Sequence, residues 1–121
     1  MRFGPPVQMT ARRNTTDVEL AGVHLPEGSE LMVLLAAANR DPEVFDHPQR
    51  LDIGRTDNRH VSFGGGIHLC LGAPLARIEG QEAIGRLLQR FPTLELAVDP
   101  ADVEWKPTAT IRGPRRLPLT W

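Results

Sequence analysis

Scarcity constrains this chain before any motif does. Its 121 residues include a single cysteine, Cys70. Neither an internal disulfide nor a multi-cysteine zinc site can therefore form. Charge of one sign is also in short supply. Fourteen Lys and Arg against fifteen Asp and Glu leave a formal net charge of −1, and there is no polybasic run. That balance gives no footing to an electrostatic nucleic-acid binder. No segment approaches the roughly 18 uncharged apolar residues of a membrane span. The opening MRFGPPVQM lacks the charged start, apolar core and small-residue cleavage site of a secretory signal. The expected setting is the cytoplasm, without nucleic acid or membrane as a partner.

Proline and glycine, by contrast, are abundant at eleven each, which implies much irregular backbone. With 40% apolar residues the composition is that of one soluble globular domain spanning 1–121. A chain of this length buries roughly two-thirds of its unfolded surface and cannot easily enclose a large cofactor on all sides.

Phe3 to Arg13 reads as extended, because Pro5 and Pro6 exclude a helix. In DVELAGVHLPEGSELMVLLAAA the pattern predicts a hairpin: Val18, Leu20 and Val23 in one strand, a turn at Pro26–Gly28, then Leu31 to Leu35 as a strand buried on both faces. A short helical piece follows, with Asp41 as N-cap and Pro42 in the first helical position. DHPQRLDIGRTDNRHVS has no periodicity and reads as a long meandering loop. From Ala73 to Phe91 the spacing of Leu75, Ile78, Ile84, Leu87, Leu88 and Phe91 predicts a helix opened by Pro74 and stopped by Pro92. Short strands are expected in LELAV, around Trp105, and in LPLTW. Strand-rich, then helix, then strand-rich is the order of an α+β fold.

Cys70 stands just before that helix, in FGGGIHLCLGAPLARIEG. The amino end of a helix favours negative charge. Gly72 would let the backbone turn so that N–H groups face sulfur, and Gly64, Gly65 and Gly66 would admit a large flat object. Four roles remain open on this chemistry. A nucleophile needs a base, and His68 is two residues away without its contact being fixed. A redox thiol needs a resolving partner, which the chain lacks. A haem iron needs one axial thiolate. A lone cysteine is also often a packed core residue.

The run FGGGIHLCLG is similar to the haem-ligand signature of the cytochrome P-450 family: Phe63, Gly66, Cys70 and Gly72 fall at its spacing. LAAANRDPEVFDHPQRLDIGR, HVSFGGGIHLCLGAPLARIE and the terminal LPLTW also resemble soluble bacterial members, in the family's order, so the resemblance covers essentially the whole chain. It implies the C-terminal part of that fold, with short hairpins, a meander, the cysteine loop and one long proximal helix.

By this resemblance the cofactor is haem b (iron-protoporphyrin IX), and Cys70 is its proximal thiolate. Phe63 packs beside the sulfur, and Gly64, Gly72 and Ala76 belong to the same cofactor-binding set. His68 and Arg12 match partners of the two propionates, with Arg13 the alternative one register away; the planar arginine fork suits a carboxylate. Val7, Gln8, Met9 and Thr10 match the strand lining the substrate pocket. Arg2 and Arg50 match structural arginines of the Glu-x-x-Arg motif and the meander. Arg59 and Arg77 are candidate docking charges for a ferredoxin or flavoprotein electron donor, and the substrate is a small organic molecule. His24, His47 and His60 read as loop residues, and Trp105 and Trp121 as packing residues.

Departures from the family pattern set further expectations. The distal helix with its acid–alcohol pair has no counterpart, and the glutamate paired with Arg2 would precede Met1. The expectation is a fragment, a truncated product or a relict, with weak or no haem binding alone. Its enzymatic reading is a haem-thiolate monooxygenase segment. The alternative is a non-catalytic remnant that associates through an exposed core face.

Overall fold

Ten short elements sit in mostly irregular backbone, and a computed structural model describes them over residues 1–121. They divide between two units: Met1–Ser62 with Thr108–Arg112, and Phe63–Pro107 with Gly113–Trp121. Small antiparallel sheets beside one long helix make the fold α+β. No helix is long and apolar enough to cross a membrane.

The first unit holds strands β1 (Thr10–Arg13), β2 (Val18–Leu20), β3 (Val23–Leu25) and β4 (Glu30–Val33). β1 pairs antiparallel with β4, Thr10 facing Val33. β2 pairs with β3, Val18 facing Leu25. Val18, Leu20 and Val23 therefore do not share one strand, contrary to what the sequence pattern predicts. Ala21 and Gly22 both have positive φ, 51° and 78°, the conformation of the tight two-residue hairpin that matches strand twist. The signal was hidden because alanine rarely adopts it. The expected Pro26–Gly28 turn is present, with Ser29 N donating to the Pro26 carbonyl at 3.1 Å.

Leu31 to Leu35 is not a strand buried on both faces. Met32 and Leu34 are more than half exposed, and Leu35, which is buried, opens helix α1 (Leu35–Ala38). The single helical turn thus lies upstream of Asp41. Asp41 starts only a turn, its carboxylate accepting from Glu43 N at 2.9 Å and its carbonyl from Phe45 N at 2.9 Å. From Asp46 to Ser62 the chain meanders without a helix or strand, as its composition predicts.

In the second unit, helix α2 (Ala73–Arg90) follows the predicted periodicity, with Pro74 in its first turn. Strands β5 (Glu95–Leu96) and β6 (Leu119–Thr120) pair antiparallel. The LELAV strand is thus shorter than expected. Trp105 makes only an isolated bridge to Pro114. Phe91 and Trp121 stack with centroids 5.0 Å apart.

The apolar row of α2 is uncovered: Leu75, Ile78, Ile84, Leu87 and Leu88 are each at least 40% exposed. Total accessible surface is 9703 Å² for 13.4 kDa. A self-contained globule of that mass exposes about 6,500 Å², and two separate globules of half the mass about 7,800 Å². Much apolar surface that normally lies inside a domain is therefore exposed.

The first unit is knit instead by a buried cation. Arg2 is 4% exposed. Its Nη1 donates to the carbonyls of Asn39 at 2.7 Å and Pro48 at 3.1 Å, and Nη2 to that of Arg50 at 3.3 Å. Its guanidinium lies 5.0 Å from the Phe45 ring centroid. Burial, then the charges of Arg55 and Arg40, lower its pKa from the ordinary arginine value. Arg2→Ala is expected to destabilise the fold by about 2–4 kcal/mol, because it orphans partly buried carbonyls. A lower urea midpoint at unchanged m-value would show this. Arg2→Lys should recover little, since one ammonium cannot span the fork.

Candidate functional site

The loop from Phe63 to Gly72 is built on two glycine torsions. Gly64 has φ +74° and Gly66 φ +57°. A Cβ on Gly64 would stand 2.9 Å from the His68 carbonyl oxygen, whereas one on Gly65 or Gly66 would meet open space. The first glycine thus makes room for the loop itself, and the next two leave its outer surface bare. Gly66–His68 forms a 3₁₀ turn, with His68 N donating to Gly65 O at 3.2 Å and Leu69 N to Gly66 O at 3.1 Å. Cys70 N closes the loop onto Phe63 O at 2.9 Å.

Cys70 is exposed and free. Ala73 N, at the start of α2, donates to the Cys70 carbonyl at 3.1 Å rather than to sulfur, and Ala76 N donates to Gly72 O at 2.9 Å. Gly72 has φ −82° and ψ 1°, open to any residue, so the tight glycine turn expected there is not what the position requires. A Cβ at Gly72 would make ordinary contact with Cys70 Sγ at 3.8 Å. Ile67, Leu69 and Leu71, which flank Cys70 in sequence, are 97%, 57% and 100% exposed. Within this chain the thiol is not packed in a core. Phe63 is half-buried with the Arg77 guanidinium 5.1 Å from its ring centroid. His68 is exposed and Ala76 half-buried. No group of three or more His, Cys, Asp or Glu converges anywhere, so the metal chemistry this loop can offer is that of one thiolate.

In the first unit, Arg12 is half-buried in β1, its Nη1 donating to Thr10 Oγ1 at 3.0 Å and to the Ala11 carbonyl at 2.8 Å. No carboxylate pairs with it. Arg13 on the opposite face is paired with Glu30 at 2.7 Å. Val7 bridges to Ile111, Gln8 N donates to Thr110 O at 2.8 Å, and Gln8 Nε2 donates to the Pro5 carbonyl. Met9 and Thr10 are half-buried. Arg50 is exposed and meets Arg2 through its carbonyl, not its side chain. Arg59 forks onto Asp57 at 3.0 and 3.1 Å. The hydrogen bond to Asp57, then its charge, raise the Arg59 pKa above the ordinary value. Arg77 has no such acidic partner.

Sequence reasoning missed Asn39. It is fully buried, accepts from Val61 N at 2.8 Å through Oδ1, and donates to Ser62 Oγ at 2.8 Å through Nδ2. The available signal was an amide at the end of an apolar run, LAAAN, where an alanine would suffice for packing.

Comparison with known proteins bears on this loop. A family model described as cytochrome P-450 matches residues 1–119. The polyketide-biosynthesis cytochrome P-450 PksS of Bacillus subtilis is 46% identical over 99% of this chain and 30% of its own length. The 6-deoxyerythronolide B hydroxylase of Saccharopolyspora erythraea is 43% identical over 98% of this chain and 30% of its own length. Among solved structures, a P-450 BioI in complex with hexadec-9Z-enoic acid ligated acyl carrier protein superposes with TM-score 0.92 at 46% identity, over 99% of this chain and 30% of that one. The chain spans 30% of the length of these relatives.

Gly64→Ala is expected to cost about 1–3 kcal/mol, from positive φ and the close approach to the His68 carbonyl. Gly65→Ala, at φ −165° with open space beyond, should lie within about 0.5 kcal/mol of the parent. Paired denaturant titrations distinguish the two.

Proposed function

Because the chain belongs to the cytochrome P-450 family, whose members are haem-b proteins, we propose that it supplies the thiolate-bearing face of a haem site, with Cys70 as axial ligand to iron. The observation that carries this reading is how the thiol is presented. Cys70 is exposed, its backbone is pinned on both sides by hydrogen bonds to Phe63 and Ala73, and bare glycines and exposed apolar residues flank it along the loop. These residues fit the group. Open space beside Gly65 and Gly66 accepts a planar ring, Ile67, Leu69 and Leu71 can lose water against it, and the lone thiol has no competing partner.

Bound haem supplies the dioxygen-activating iron through which an organic substrate gains one oxygen atom while the other leaves as water. This chain's residues hold and orient. Cys70 bears the ligating sulfur. Phe63 restrains the loop from the side, with Arg77 over its ring, and Gly64, Gly72 and Ala76 form the rest of the floor. Arg12 and His68 would each hydrogen-bond a haem propionate. The absence of a carboxylate on Arg12, against the Arg13–Glu30 pair, supports Arg12 over its neighbour. Val7, Gln8, Met9 and Thr10 contribute to the lining for a small organic substrate. Arg2 and Arg50 are structural. Electrons come from a ferredoxin or flavoprotein, with Arg59, paired with Asp57, and Arg77, which has no acidic partner, as candidate docking charges.

Haem uptake by the chain alone is expected to be weak; in haem excess, reduction under carbon monoxide is expected to give the red-shifted absorption of thiolate-ligated iron. Cys70→Ser should lose that band with unchanged far-ultraviolet dichroism. The same band persisting in Cys70→Ser would overturn the assignment.

The uncovered row of α2 favours a second reading, association through that face. Sedimentation is expected to show concentration-dependent association that Leu87→Glu weakens at least about tenfold, the order of one buried leucine lost from an interface.

A further inference from the structure

A loop that presents one atom needs both of its ends held. At the far end, α2 holds Cys70 and Gly72 through the Ala73 and Ala76 N–H groups. The near end is approached through Val61 and Ser62, where there is neither helix nor strand. Asn39 alone takes hold of both residues there. Its Oδ1 accepts from Val61 N and its Nδ2 donates to Ser62 Oγ, each at 2.8 Å. Asn39 is itself fixed, with its N–H on the Leu35 carbonyl at 3.0 Å and its carbonyl taken by Arg2 Nη1 at 2.7 Å.

An apolar side chain could fill this buried volume with no polar atom to satisfy. An amide that donates to one residue and accepts from the next fits only one register of the segment it holds. A slip of one residue loses both bonds and leaves buried polar atoms unpaired. We propose that Asn39 is a positioning residue: it fixes the register at which the chain enters the Phe63–Cys70 loop, and so the placement of the thiol. Its functional meaning rests on Cys70 being the haem ligand, but the anchoring does not require haem.

Hydrogen–deuterium exchange on the full chain, without haem, tests this. The amides of His68, Leu69 and Cys70 are bonded within the loop to Gly65, Gly66 and Phe63, and none touches Asn39. In Asn39→Ala they are expected to exchange about tenfold faster, the effect of losing two hydrogen bonds at the anchor, while the β2–β3 hairpin exchanges as in the parent. Ser62→Ala should give a smaller rise of about threefold at the same amides, and Ser62→Thr, which keeps the hydroxyl, should restore the parent rate. Unchanged exchange in Asn39→Ala overturns the proposal, as does equal acceleration of the hairpin, which would mark a merely structural residue. If Asn39→Ala does not fold, the Ser62 pair decides: identical rates in Ser62→Ala and Ser62→Thr overturn it. Because no haem is present, this outcome and the carbon monoxide spectrum fail or succeed separately.

Discussion

The meandering stretch after α1 has no ladder partner for its carbonyls, and a segment without regular structure folds only if donors reach it from elsewhere. Arg2 is that donor for three of them, at Asn39, Pro48 and Arg50. A planar fork with five N–H groups can bridge carbonyls far apart in sequence, which an ammonium cannot. Phe45 closes one face of the fork, and Arg40 beside it donates to the Phe3 carbonyl while covering that ring at 4.8 Å. The first unit is thus organised around buried guanidinium–carbonyl bonds more than around a large apolar core. Only Leu35 and Phe45 are its buried apolar side chains of size.

The second unit solves the opposite problem. Its loop leaves the thiol exposed and is held by backbone bonds: Cys70 N to Phe63 O, and Ala73 N to Cys70 O. Side chains are then free for other contacts. Leu71 at full exposure and Ile67 nearly so stabilise nothing within this chain. Such side chains make physical sense where an apolar ligand or surface takes water's place.

Legibility in the sequence followed the range of the interaction. α2 was readable because its period is local and eighteen residues long, and the loop around Cys70 was readable because its glycines and thiol are consecutive. The β2–β3 hairpin was misread because Ala21 adopts positive φ where glycine or asparagine is the usual signal. The Leu31–Leu35 run was misread because an apolar run reports what could be buried, not what is. The Arg2 fork and the Asn39 clamp span separations of 37 to 48 and 22 to 23 residues. No pattern in a single sequence marks partners so far apart.

The residue types alone thus determined the chemistry on offer: one thiolate, glycines where bulk would interfere, a helix directly after, and family membership through their spacing. The tertiary structure decided which of those residues are committed. Arg13 and Arg59 are paired with Glu30 and Asp57, Gly72 proved replaceable in conformation while Gly64 did not, and Asn39 emerged as an anchor. The physical reason is that a side chain's chemical capacity belongs to the residue. Its availability is set by neighbours that only folding supplies.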